Sequence, residues 1–179
     1  MQTEIITAGF GGQGVLFTGQ LLTYAAMDEG REVTWIPSYG PEMRGGTANC
    51  IVVISDEEIG SPMVSDPQAV IAMNLPSLDK YEGKVRPGGV LVVNESMVDR
   101  AVSRQDIKVV MVKANEIAEE LGDKRMMNMV LLGALIANLP VIPLQAIEKA
   151  LAGHLPERHH KMLPKNYEAL KRGAAHLAQ

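Results

Sequence analysis

Thr3-Glu4-Ile5-Ile6-Thr7-Ala8-Gly9-Phe10-Gly11-Gly12-Gln13-Gly14-Val15 is the stretch that decides the fold. Residues 3–8 are rich in apolar and β-branched side chains, as in a short buried strand. Glycine then takes over, and residues 13–29 carry a helical period: Val15, Leu22 and Ala26 share a face, with Leu21 and Ala25 beside it. Gly30 is placed to end that helix in a left-handed cap. A buried strand that turns sharply through glycines into a helix is the opening move of an α/β fold.

Working outward, the pattern predicts further strands at residues 32–36, 47–55, 69–73, 90–94 and 108–112. Residues 37–46 read as a loop and 75–84 as a loop or short helix. Helices are predicted at 115–121, 125–139, 143–152 and from Pro164 to about Leu177. The strands are continuous apolar runs rather than alternating ones. That pattern belongs to a sheet covered on both faces: a three-layer α/β/α sandwich, Rossmann-like and mostly parallel, with residues 3–8 central. Nothing resembles a repeat or a long linker, so residues 1–179 are read as a single domain. Its helical C-terminal part, about 140–179, forms a packing arm.

The composition narrows the function. Hydrophobic residues make up 46% and charged residues 21%, with a formal net charge of −4, so no basic face invites nucleic acid. The single cysteine, Cys50, falls short of the roughly four ligands of an iron–sulfur cluster, and it cannot close an internal disulfide. A reducing cytoplasm fits both facts and the lack of a signal-peptide pattern. Residues 126–144 are largely apolar but are interrupted by Asn128, Asn138, Pro140 and Pro143, which predicts a buried helix ending before Pro140 rather than a membrane span. Methionine, with 11 copies, fills irregular cores and also adapts at contact surfaces.

Gly9, Gly11 and Gly14 fit the G-x-G-x-x-G spacing, with Gly12 and Gln13 between them. Three readings of this loop stay open. The glycines serve the sharp turn alone, or the free N–H groups at the helix start hold an anion, or the loop holds a nicotinamide dinucleotide. The last wants an acidic residue at the end of the second strand to hold the ribose. Here that strand runs into Pro37-Ser38-Tyr39-Gly40. The second loop continues through Pro41, Glu42, Met43, Arg44, Gly45 and Gly46. It follows a strand end, where ligand crevices of α/β sheets lie, and should sit beside the first loop. Arg44 offers a charged planar fork for carboxylate or phosphate, Gly45 and Gly46 leave amides open, and Ser38 and Tyr39 add hydroxyls. The alternative is a structural loop in which Arg44 pairs with Glu42 or another acid.

Together, G-F-G-G-Q-G-V at residues 9–15 and S-Y-G-P-E-x-R-G-G at residues 38–46 resemble the gamma subunit of 2-oxoacid:ferredoxin oxidoreductases. The buried run Asn128-Met129-Val130-Leu131-Leu132-Gly133-Ala134 and the spacing of Asn166, Ala169 and Gly173 agree with it. The resemblance implies a complex that oxidatively decarboxylates a 2-oxoacid, joins the acyl group to coenzyme A and reduces ferredoxin. It implies that thiamine diphosphate and iron–sulfur clusters sit in partner subunits, with this chain holding neither. The partners would be alpha-, beta- and delta-type subunits, with ferredoxin reached indirectly. Self-association into a homodimer is left open. The implied ligand-binding set is Gly9, Gly11, Gly12, Gln13, Gly14, Ser38, Tyr39, Arg44, Gly45 and Gly46, with no catalytic residue and no metal ligand in this chain. A stand-alone nucleotide-dependent oxidoreductase and a purely structural assembly subunit are the rival readings. Elsewhere, His159 and His160 read as part of a solvated basic patch with Arg158, Lys161 and Lys165, and Cys50, Trp35 and Phe17 as core.

Overall fold

The computed structural model describes residues 1–39 and 47–178. Among these residues six strands form one sheet: β1 (Gln2–Phe10), β2 (Glu32–Tyr39), β3 (Thr47–Ser55), β4 (Ala69–Ala72), β5 (Val90–Asn94) and β6 (Lys108–Val112). Their order is β2-β3-β1-β4-β5-β6. β1 pairs in parallel with β4, β4 with β5 and β5 with β6, whereas β3 runs antiparallel to both of its neighbours. Five strands therefore point one way, and β1 is interior as expected. The reversal of β3 is the departure from a fully parallel sheet: β2 and β3 form a hairpin, and β3 slots in between β2 and β1.

Among the described residues six α-helices complete the fold: α1 (Val15–Asp28), α2 (Leu75–Tyr81), α3 (Ala114–Glu120), α4 (Met127–Asn138), α5 (Leu144–His154) and α6 (Leu163–Ala174). The two faces of the sheet are covered unequally. On one face α1 and α4 lie on the sheet over Ile5, Val52, Ile54, Ile71, Val92 and Val110, and α3, α5 and α6 pack against those two helices in the same core. On the other, Ile6, Ala8, Val70, Ala72, Leu91 and Val93 meet Leu78 and Tyr81 of α2, with Val98, Val102 and Ile107 alongside. α4 is apolar all round and nearly all of its residues are buried, as a central helix must be. It ends before Pro140, and among the described residues no helix is long and apolar enough to cross a membrane. α6 lies directly on α4, with Ala169 and Leu170 fully buried. α1 approaches β3 closely because residue 19 is glycine; a Cβ there would overlap the Cys50 thiol.

The connection from β5 to β6 contains no helix beyond a short 3-10 turn at Glu95–Met97, so a side chain must pin it. Glu82, 6% exposed, does so. Its Oε1 accepts from the Ser103 hydroxyl at 2.7 Å and from the Ser103 and Arg104 amides, and its Oε2 pairs with Arg100 at 2.8 Å. Burial alone pushes this carboxyl up. The Ser103 hydrogen bonds and the Arg100 charge outweigh burial and hold it below the usual range. A depressed folded-state pKa contributes stability above the unfolded value, near pH 4.3, and that contribution is lost as pH falls through the folded value. Glu82→Gln should therefore cost about 1–3 kcal/mol at neutral pH. Urea midpoints measured from neutral to about pH 3 should show a flatter acid limb for the variant than for the native chain. Identical pH profiles would remove Glu82 from this role.

Candidate functional site

The site is built where β1 ends. Gly9 is buried, and a Cβ there would press on Met73, Val15 and the Gln13 side chain. Gly12 (φ +92°) and Gly14 (φ +76°) lie in the left-handed region, which only glycine adopts freely. They swing the chain from strand to helix within a few residues. Gln13 clamps the loop through its side-chain oxygen. Its Oε1 accepts from the Phe10 amide at 2.7 Å and from Asn74 Nδ2 at 3.0 Å, and Asn74 in turn caps α2 through Ser77 N. The loop is thereby tied to the carboxyl end of β4.

Gly14 occupies the N-cap of α1, where no side chain caps the helix and no acid lies in the first turn. The first amide N–H groups of a helix have no intrahelical acceptor, and the helix dipole adds partial positive charge there. This end opens onto a cleft of about 290 Å³ lined by Gly12, Gly14, Phe17, Arg125, Met126, Asn128, Leu155, His159, Met162 and Asn166. Arg125 stands at its edge, largely exposed. Asp123 receives Nε at 3.0 Å and one terminal nitrogen at 2.8 Å, which fixes the guanidinium and leaves its other terminal nitrogen without a partner among the described residues. That fork holds the Asp123 carboxyl below its usual range. Asn128 and Asn166, 6% and 7% exposed, bring buried amides to the cleft. Asn166 Nδ2 donates to Met162 O at 2.9 Å, leaving its Oδ1 without a partner among the described residues. Asn128 Nδ2 lies 3.5 Å from Gly14 O.

Of the residues named from sequence, Gly12 and Gly14 face this cleft, Gly11 is exposed in the same loop, and Gly9 and Gln13 support the loop from beneath. Ser38 is exposed and, by strand alternation from Trp35, projects on the sheet face away from α1. Arg44, Gly45 and Gly46 lie outside the described residues, as does the Tyr39 side chain. The flanks of that segment are placed: Tyr39 pairs with Ala48, and Phe10 with Thr47, so both flanks adjoin the end of β1. Phe17 departs from the expected core position. It is 37% exposed because it falls outside the α1 stripe of Val15, Leu21, Leu22, Ala25 and Ala26 that faces the sheet. His160 is bound to Leu155 O at 2.8 Å, while His159 turns toward the cleft and accepts from Arg158 Nε at 3.1 Å. Cys50 is fully buried, 2.9 Å from Thr7 Oγ1, and burial pushes its thiol pKa up.

Comparison with known proteins places this architecture. Residues 4–176 match the family described as pyruvate ferredoxin/flavodoxin oxidoreductase. A ketoisovalerate oxidoreductase subunit VorA of Methanothermobacter marburgensis is 45% identical over 136 residues. That match covers 76% of this chain and only 28% of the relative, so the chain corresponds to a part of that protein's length. A 2-oxoglutarate synthase subunit KorC of Methanocaldococcus jannaschii is 34% identical over 178 residues, covering 96% of this chain and 95% of the relative. The keto/oxoacid ferredoxin oxidoreductase gamma subunit of Geobacter sulfurreducens superposes with a TM-score of 0.87 at 27% identity, covering 100% of this chain and 99% of that one. With nearly its whole length matched, the chain belongs to the pyruvate ferredoxin/flavodoxin oxidoreductase family.

Proposed function

We propose that this chain is a gamma-type subunit of a cytoplasmic 2-oxoacid:ferredoxin oxidoreductase, and that its glycine loop and the adjoining cleft hold the anionic end of coenzyme A. Family membership and the full-length relatives support the subunit reading. The observation that carries the ligand is the uncapped start of α1, with left-handed Gly12 and Gly14, opening onto a cleft edged by Arg125. Backbone amides and a guanidinium are what phosphates bind. Iron–sulfur chemistry does not fit this chain, since its one cysteine is fully buried and hydrogen-bonded inside the sheet. In this reading the clusters and thiamine diphosphate belong to alpha-, beta- and delta-type partners, and ferredoxin is served through them.

Arg125 is exposed, so its contribution is that of a charge screened by solvent and salt. Arg125→Ala should weaken coenzyme A binding to the assembled complex about two- to fivefold. The effect should shrink as salt is raised, and subunit ratios should be unchanged. Calorimetric titration at low and high ionic strength reads both. Unaltered affinity at low salt would exclude Arg125 from the site, and loss of assembly would reassign the cleft to subunit contact.

A further inference from the structure

α1 carries one charged residue, Asp28, at its last position. Its inward stripe meets the sheet, yet its outward face is apolar as well, Gln20 apart. Leu16, Phe17, Gln20, Tyr24 and Met27 recur there at helical spacing, and Phe17 and Met27 are 37% and 53% exposed. The outward faces of α5 and α6 differ, carrying Lys149, Lys165, Glu168 and Lys171. A helix that is apolar all round belongs in an interior, so the outward stripe of α1 calls for a cover. The stripe is also preformed. Gln20 donates to the Tyr24 hydroxyl at 3.0 Å, and His154 stacks on the Tyr24 ring with centroids 4.2 Å apart. Beside it, between α1 and α5, opens a cavity of about 250 Å³ whose apolar walls include Phe17, Leu21, Tyr24, Leu151 and Pro156. The two ends of the stripe differ in charge. Past Met27 lie Asp28 and Glu29, both exposed, at the negative end of the helix dipole, while Arg31 is bound to Asp56. Past Phe17 lies His159, which Arg158 contacts, and the turn 157–161 sets Arg158 and Lys161 against one acid, Glu157.

From this charge pattern we infer that the outward face of α1 binds a second copy of this chain, the two α1 helices packing antiparallel about a two-fold axis midway between Gln20 and Tyr24. Every contact across such an axis is made twice. Phe17 of one copy then meets Met27 of the other, Gln20 meets Tyr24, and each acidic end lies against Arg158 and Lys161 of the other copy. Antiparallel dipoles favour the same arrangement. A parallel pairing would set acid on acid and base on base. The flexible thioether of Met27 suits both the Phe17 ring and the cavity beside it. The interface is independent of the ligand proposed for the glycine loop.

Sedimentation equilibrium of the full chain should show a concentration-dependent dimer. Met27→Glu, at an exposed position that the fold tolerates, should raise the dimer dissociation constant about tenfold or more, because it places an unpaired charge in the contact. An unchanged urea midpoint shows the fold intact. Phe17→Glu should act alike. Glu29→Lys and Arg158→Glu should each weaken the dimer about two- to fivefold. Together they should recover most of the loss, since the swap restores opposite charges across the axis. A chain that stays monomeric at every concentration would overturn the inference, and if Met27→Glu then blocks assembly of the oxidoreductase complex, the stripe belongs to another subunit. A dimer indifferent to both Met27→Glu and Phe17→Glu places the contact elsewhere and overturns it equally. Losses from the two charge reversals that simply add would rule out the antiparallel pairing.

Discussion

Gly133→Ala should lower the unfolding free energy of the chain by about 3 kcal/mol or more, and Gly173→Ala should do the same. The two glycines face each other's helices in a reciprocal seam. A Cβ on Gly133 of α4 would overlap the carbonyl oxygen of Leu170 on α6, and a Cβ on Gly173 of α6 would overlap the carbonyl oxygen of Val130 on α4. Both obstacles are backbone, so no rotamer change relieves them, and the helices themselves must separate. Separation would open the packing around Val130, Leu170 and Ala169, all fully buried. Helix propensity works the other way, favouring Ala by about 1 kcal/mol, and is outweighed. Gly153 in α5 provides the control. It is exposed with open space around it, so Gly153→Ala should be neutral or slightly stabilising. For a chain of this size the seam variants should melt roughly 6–12 °C lower. Urea midpoints with an unchanged slope check the free energies. A loss under about 1 kcal/mol at both positions would show that α4 and α6 slide apart cheaply.

The elements of the fold were largely legible because their signals are local. The local pattern marks β3, β5 and β6 at their observed ends, since each is a β-branched run bounded by turn residues. For β2 the pattern stops short, at Ile36. The strand continues through Pro37 to Tyr39, which Pro37 permits because β2 is an edge strand and its ladder lies only against β3. The direction of β3 was not legible, because an apolar run carries no sign of which way it threads the sheet. The glycine half of the site was legible for the same local reason: left-handed turns demand glycine. The other half was not. Arg125, Asn128, His159 and Asn166 are brought to Gly12 and Gly14 by the packing of α4 and α6, more than a hundred positions along the chain. One signal was present: Asn128 is an amide inside the apolar run of α4, and a buried amide needs a partner. Phe17 departs from the core because residue type alone points inward, whereas its position around α1 points outward.

In the oxidoreductase complex proposed above, Arg44→Ala should raise the apparent KM for coenzyme A or for the 2-oxoacid about ten- to a hundredfold. The residue lies outside the described segment, but its flanks do not. Thr47 sits opposite Phe10 and Tyr39 opposite Ala48, so the chain leaves β2 and enters β3 beside the glycine loop. A permanently charged fork carried on a segment with those flanks suits the phosphates of coenzyme A or the carboxylate of the oxoacid. A charge-assisted hydrogen bond contributes about 1.5–3 kcal/mol, which sets the size of the effect. It exceeds the effect expected at Arg125, whose guanidinium is already shared with Asp123 and open to solvent. Arg44→Lys should rescue only in part, keeping the charge while losing the paired donors. If Arg44 instead binds a partner subunit, the Ala variant should fail to assemble, and any surviving complex should show native constants. Steady-state kinetics on purified complex, with subunit ratios read by gel filtration, separates the two. Full assembly with unchanged constants for both substrates would remove Arg44 from ligand and interface alike, and would leave Gly12, Gly14 and Arg125 to carry the anion alone.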